Sequence, residues 1–168
     1  VKNFLSAVRP QKPNWSFAPI NGLVTSTVEL LRPDFEKANV RITLEPLEED
    51  QLLPVDENQV RQALINLFRN AIQAMPGGGE IHVSLIKLQD RVRISILDSG
   101  EGIPQQIQKR IFEPYFTTRA QGTGLGLAVV QRIVREHRGR MRLQSKPGKG
   151  TCVVIDLPRS AEHSKQIP

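Results

Sequence analysis

Four stretches of this chain combine residue types that could do chemistry. Asn66 and Asn70, in Asn66-Leu-Phe-Arg-Asn70, stand four residues apart among apolar neighbours. On a helix that spacing puts both amides on one face. Two polar residues on a solvated face would look the same in isolation, but the strongly apolar positions around them favour a polar cleft. There an amide oxygen can hold Mg²⁺ while water and phosphate oxygens complete the metal's shell. Ile96-Leu-Asp98-Ser-Gly100-Glu-Gly102-Ile103 places a carboxylate at the end of an apolar run, before a flexible turn. A β-turn opened by Asp is the plain alternative. The chemical reading is that Asp98 accepts a hydrogen bond from the amino group of an adenine, a contact worth roughly 1.5–3 kcal/mol. Gly100 and Gly102 would let the base lie against backbone.

Gly122-Thr123-Gly124-Leu125-Gly126-Leu127 leads into a helical pattern. Glycines there let backbone N–H groups approach an anion, and the helix start adds partial positive charge. The stretch reads as an amide nest for phosphates. It is one residue short of G-x-G-x-x-G and follows a loop, so it is no dinucleotide fingerprint. Gly148-Lys149-Gly150-Thr151 fails as a Walker A loop, because Gly follows the Lys and no upstream Gly is correctly spaced. Phe112-Glu-Pro-Tyr-Phe116-Thr117-Thr118-Arg119 is an aromatic-rich loop. It is either a hydrophobic loop anchor or a hinge and lid over a nucleotide.

The elements that must position these stretches are legible from periodicity. Leu23, Val24, Val28, Leu31 and Phe35 recur at helical spacing over 20–38, with Pro33 predicted to kink or interrupt the helix. Strands are expected over 40–44 and 52–55. Asp56 reads as an N-cap, with Gln59 completing a capping-box pattern for a helix that reaches about Met75. Two β-rich runs, 80–88 and 91–97, meet at Gln89-Asp90 as an antiparallel pair. A short helix is expected over 104–110, and a longer one within 122–137. Strands over 140–144 and 151–157 flank the turn Pro147-Gly148-Lys149-Gly150. Helices mixed with antiparallel hairpins imply an α+β fold. It is a two-layer α/β sandwich, a mixed and mostly antiparallel sheet covered by about three helices on one face.

Composition narrows the classes. With 168 residues, 39% hydrophobic and 24% charged, the chain suits one globular domain with a short tail. No apolar run reaches membrane-span length, and Val1–Pro10 lacks signal-peptide architecture, so no membrane contact by this chain is expected. The chain does not begin with Met and reads as a piece of a longer protein. The lone Cys152 excludes an internal disulfide, fits a reducing, cytoplasmic setting, and is expected as a small buried strand residue. His82, His137 and His163 lack metal-ligand spacing. The net charge of +6 admits a polyphosphate or acidic partner. Aromatics at 5%, without an aromatic-and-basic stripe, argue against nucleic acid.

Taken in order, Asn66…Asn70, Asp98-Ser-Gly100-Glu-Gly102, Phe112-Glu-Pro-Tyr-Phe116 and Gly122-Thr-Gly124-Leu-Gly126-Leu resemble the N, G1, F and G2 boxes of sensor histidine kinases. These belong to the GHKL superfamily, with its Bergerat-type ATP-binding fold. NLFRNAIQAM and FEPYFTTR look most like the nitrogen-regulator and PAS-linked type. The resemblance covers residues 14–158 as a catalytic ATP-binding domain. It leaves 1–13 as the end of a dimerisation-domain helix with its linker, and 159–168 as a polar tail. It implies ATP and Mg²⁺ as ligands, Asn70 as the metal ligand, Asp98 as the adenine anchor, and Gly122, Gly124 and Gly126 at the phosphates. Thr151 would support the adenine network, Arg119 would reach a phosphate from the lid, and Phe112 and Phe116 would anchor that lid. Ile103, Thr117, Thr118, Thr123, Leu125 and Leu127 complete the implied nucleotide-binding set, with Asn66, Asn70 and Arg119 as the catalytic ones.

Hydrolysing members of the superfamily carry a glutamate four residues before the metal-binding asparagine; here that position is Asn66. A neutral amide cannot take a proton near pH 7, so the resemblance implies a kinase that holds ATP until an imidazole arrives. No His of this chain sits in the family's phosphoacceptor setting, and His137 falls where the family has a structural His. The implied partners are a histidine-bearing dimerisation domain of the same, homodimeric parent and a response-regulator receiver domain. The rival readings are a GHKL ATPase or serine protein kinase, and a non-catalytic nucleotide-sensing module. Arg138-Gly139 departs from the family's usual two glycines, which puts the local turn in question.

Overall fold

The computed structural model describes residues 13–118 and 122–160. The helix end expected over 1–9, Arg119 and His163 lie outside them. Elements follow in the order β1 (Ser16–Pro19), α1 (Ile20–Leu30), α2 (Arg32–Lys37), β2 (Val40–Glu45), β3 (Leu52–Val55), α3 (Glu57–Gln73), β4 (Gly79–Lys87), β5 (Arg91–Asp98), a 3₁₀ turn (Arg110–Phe112), α4 (Gly126–Glu136), β6 (Arg140–Ser145) and β7 (Thr151–Pro158). The main sheet has the order β2-β4-β5-β7-β6. Only β2 and β4 run parallel; the other pairs are antiparallel. β1 and β3 form a separate antiparallel ribbon. No helix among the described residues is long and apolar enough to cross a membrane.

Alternation decides which sheet face is covered. Ile81, Val83, Val92, Ile94, Ile96, Val153 and Ile155 all point to the helix layer and are buried. From α3, Val60, Leu64, Leu67, Phe68 and Ala71 meet them, and from α4, Val130, Ile133 and Val134. The opposite face is polar: Arg93 grips Asp156 with two bonds of 2.7 and 3.0 Å, and Arg142 adds a third at 3.3 Å.

The predicted first helix is broken into α1 and α2 at Leu31, and Pro33 sits in the first turn of α2, where its missing N–H is no loss. The helix expected over 104–110 does not form. That stretch makes turns, with bonds such as Arg110 N–H to Ile107 O (2.9 Å), and only Arg110–Phe112 is helical. Seven residues are too few to hold a helix alone, and no apolar face of useful length exists to bury. Cys152 lies in a strand as expected but is only half-buried, and burial raises its thiol pKa. Arg138 itself adopts the left-handed conformation (φ 53°) and closes α4: Arg138 N–H reaches Arg135 O and Gly139 N–H reaches Val134 O. This is a Schellman cap, so the departure from Gly-Gly leaves the turn intact.

The start of α3 is held by a contact no local pattern reveals. Asp56 Oδ1 accepts from Gln59 N–H (3.0 Å), the expected cap. The reciprocal half of the box is absent, and Gln59 Oε1 has no partner. Instead Asp56 N–H donates to His137 Nε2 (3.0 Å), while His137 Nδ1 donates to Ile133 O (2.8 Å). Asp56 Oδ2 accepts from Asn14 N–H (2.8 Å), and the Trp15 ring lies 4.9 Å from the imidazole. This buried His137 joins α4, α3 and the incoming chain.

His137 must stay neutral to accept from Asp56, and burial lowers its pKa below the ordinary 6.5. The unfolded chain protonates there near 6.5, so the stabilisation is whole above that value and is lost as pH falls through the lowered folded value. Denaturant unfolding at several pH values should show stability falling below pH 6.5. His137→Leu should orphan the Asp56 N–H at a cost of about 1–3 kcal/mol and flatten that slope.

Candidate functional site

A cleft of about 710 Å³ opens between α3, the adjoining ends of β5 and β7, the segment 101–118 and the start of α4. Its floor is Ile96, Leu143 and Val153, which follow from sheet alternation. At one end, β5 finishes at Asp98 opposite the first residue of β7, Thr151. Asp98 is 7% exposed. Its Oδ1 accepts from Gly100 N–H (2.9 Å) and Thr151 N–H (3.1 Å), so the buried carboxylate is held by two backbone donors.

The strand ends are pressed together here. A Cβ on Gly150 would lie 1.9 Å from Asp98 O, and one on Gly102 would lie 2.1 Å from Lys146 O. Ser145 Oγ accepts from Ile103 N–H (2.8 Å) and lies 2.8 Å from Thr151 Oγ1. Gln108 Nε2 donates to Ile103 O and Ser145 O. Glu101 N–H donates to Ala74 O (3.0 Å), tying the turn to the end of α3.

The other end belongs to α3 and α4. Asn66 and Asn70 both line the cleft. A Cβ on Gly126 would come within 3.7 Å of Asn70 Nδ2 and 3.8 Å of Oδ1, so this amide stands beside the first turn of α4. No side chain caps that turn and no acid lies in it, which leaves its N–H groups for an anion. Gly124 has φ 67°, and its carbonyl accepts from Tyr115 N–H (2.9 Å), linking the aromatic loop to the glycine loop. Phe116 faces the cleft with the Arg110 guanidinium 4.3 Å over its ring.

Asn70 Oδ1 suits a magnesium ion. Among the described residues no group of three His, Cys, Asp or Glu could cage a metal. An ion here would draw its remaining ligands from phosphates and water, as magnesium prefers.

The cleft brings together Asn66, Asn70, Asp98, Gly102, Ile103, Phe116, Thr117, Thr118, Gly122, Thr123, Gly124, Gly126, Leu127 and Thr151. Gly100, Phe112 and Leu125 stand outside its lining. Gly100 serves from behind by donating to Asp98, Phe112 is half-buried in the 3₁₀ turn, and Leu125 is exposed at the entry to α4. Sequence reasoning missed Arg69, Gln73, Glu101 and the Ser145 hydroxyl. Gln73, seven residues after Asn66, could have been found by helical spacing; Ser145 had no local signal.

Residues 55–161 match the family described as histidine kinase-, DNA gyrase B-, and HSP90-like ATPase. Sporulation kinase E of Bacillus subtilis (strain 168) is 36% identical over 159 residues, 94% of this chain and 22% of that protein. The signal transduction histidine-protein kinase AtoS of Escherichia coli (strain K12) is 35% identical, covering 99% of this chain and 28% of its own. This chain thus spans about a quarter of these relatives. The catalytic domain of histidine kinase ThkA superposes with a TM-score of 0.80 at 31% identity, covering 89% of this chain and 98% of that one. ThkA has also been solved in complex with the response regulator protein TrrA, a chain of which this one covers 42% (TM-score 0.75, 28% identity).

The packing of Gly150 against Asp98 makes a paired test. Gly150→Ala combines φ 83° with a clash against backbone that cannot yield, whereas Gly148→Ala has φ 73° and nothing within 4 Å. Urea unfolding should charge Gly148→Ala only the left-handed penalty of about 1–2 kcal/mol, and Gly150→Ala clearly more.

Proposed function

This chain belongs to the histidine kinase-, DNA gyrase B- and HSP90-like ATPase family, as a sensor histidine kinase catalytic domain, and on that premise we propose that it binds Mg-ATP and donates the γ-phosphoryl group to a histidine elsewhere in its parent protein. The observation that carries this reading is one cleft lined by Asp98 and Thr151 at one end and by Asn66, Asn70 and the uncapped start of α4 at the other. Asp98 would accept from the adenine amino group while Gly100 and Thr151 hold its Oδ1. Ile96, Ile103 and Leu143 exclude water from the ring. Gly124, Gly126 and the first N–H groups of α4 would hold the phosphates, with Asn70 Oδ1 on the magnesium ion. That ion would neutralise charge as the phosphoryl group leaves.

Asn66 sets the chemistry. An amide has no basicity near pH 7, so it cannot activate water. An imidazole nitrogen needs no such help. Its lone pair forms the N–P bond as the bond to the bridging oxygen breaks and ADP departs with that electron pair. Phe116, Thr117 and Thr118 would close over the nucleotide, and Arg119 would add a phosphate contact from the same loop. The histidine would lie on a dimerisation domain of a homodimeric parent, with a receiver domain as the next acceptor. The ThkA–TrrA complex supports a response regulator as a partner.

The test mixes this chain, Mg-ATP and a separately produced histidine-bearing dimerisation domain. Acid-labile, base-stable phosphate should appear on the partner, with little phosphate release when the partner is omitted. Steady release without a partner, or no transfer at saturating ATP, would defeat the reading. Asp98→Asn supplies a second check. Its oxygen can still serve Gly100 and Thr151, so the unfolding midpoint should move little, but its NH₂ would face the adenine amino group, donor against donor. Calorimetric titration should show ATP affinity falling by at least about tenfold.

A further inference from the structure

Of the described side chains that line the cleft, only Arg69, Asp98 and Glu101 are charged, and Arg69 is the one cation. Its position along α3 is fixed. Ala74, just past the end of α3, touches the Asp98 end through the bond from Glu101 N–H. At 1.5 Å rise per residue, Asn70 lies about 6 Å back along the axis and Arg69 about 7–8 Å back. Arg69 therefore sits between Asn70 and Asn66 along the axis, in the part of the cleft away from the carboxylates. It is exposed and makes no salt bridge among the described residues. Two neighbouring cations among the described residues are committed elsewhere. Arg110 stacks on Phe116, and Arg61 of α3 bonds to Ser26 and Thr27 of α1.

Charge makes this position informative. A triphosphate carries about four negative charges, of which magnesium cancels two and the start of a helix about half of one. The remainder concentrates at the terminal phosphate. Asn66 and Asn70 are neutral. A guanidinium fork matches two phosphate oxygens at once, which a flexible ammonium does not.

We propose that Arg69 binds the terminal phosphate and makes the cleft discriminate nucleoside triphosphate from diphosphate. This rests on the ATP-binding reading above and names the residue that measures phosphate length. A ligand that ends at its second phosphate stops short of the guanidinium. Arg69 also carries charge as the phosphoryl group moves, so its loss slows transfer as well as binding.

The experiment is calorimetric titration of the chain and its Arg69→Ala and Arg69→Lys variants with ATP, ADP and AMP, each with and without Mg²⁺. Arg69→Ala should weaken ATP about tenfold or more, the range of a charge-assisted hydrogen bond, and move ADP and AMP by less than about twofold. Arg69→Lys should recover part of the ATP affinity and less of the transfer rate to the partner domain. The thermal midpoint of both variants should match the parent chain, because the side chain is exposed. Equal weakening of ATP and ADP, or no change in either, would overturn the assignment while leaving the ATP-binding reading intact. No binding of ATP by the unaltered chain would remove both.

Discussion

The structure turns on the close approach of β7 to the end of β5. Asp98 and Thr151 are register partners, and Gly150 passes so near the Asp98 carbonyl that no side chain fits. This contact lets a single oxygen of a buried carboxylate receive two backbone N–H groups. A carboxylate without such partners would shed its charge or open the sheet. The turn after it inherits the constraint. Gly100 packs on Ala74, Gly102 on Lys146, and Gly148 N–H donates to Glu101 O (2.7 Å). One end of the cleft is therefore rigid by construction.

α3 carries that rigidity to the other end. One side of the helix fills the core with Leu64, Leu67 and Phe68, and the adjoining side lines the cleft with Asn66, Asn70 and Arg69. Its start is bound through Asp56 to His137, and its end through Ala74 to Glu101. A helix clamped at both ends cannot slide against the sheet, so the distance between Asp98 and the amides is set by the fold. The aromatic loop is held differently. It meets the glycine loop through Tyr115 N–H to Gly124 O, and Tyr115 is 76% exposed.

What the sequence disclosed follows from the range of each interaction. The Asp56 cap, the hairpin at Gln89-Asp90 and the fold class rest on contacts a few residues apart or on strict periodicity, and they were legible. The coming together of Asn70, Asp98 and Gly126 was legible only through the order of motifs, because no spacing states that 28 and 56 residues fold back to one cleft. Ser145, the ribbon of β1 with β3, and the His137–Asp56 bond depend on partners 33 to 81 residues away and left no local trace. The failed helix at 104–110 shows the converse. Helix-compatible residues there had no face to bury, so propensity alone did not carry them.

The charge layout also bears on how a ligand can lie. Asp98 and Glu101 occupy one end, while Arg69 and the α4 start occupy the other. A triphosphate entering in reverse would set its charges against a buried carboxylate. It would also leave a guanidinium and several amides facing a base. At an effective dielectric near 20, like charges about 4 Å apart repel by about 4 kcal/mol, a discrimination approaching a thousandfold. Attraction at the phosphate end need not be strong for orientation to be unique, because repulsion at the base end removes the alternative. On this layout an acid that accepted from the base would also repel the phosphates, and the two backbone donors hold Asp98 in place for both tasks.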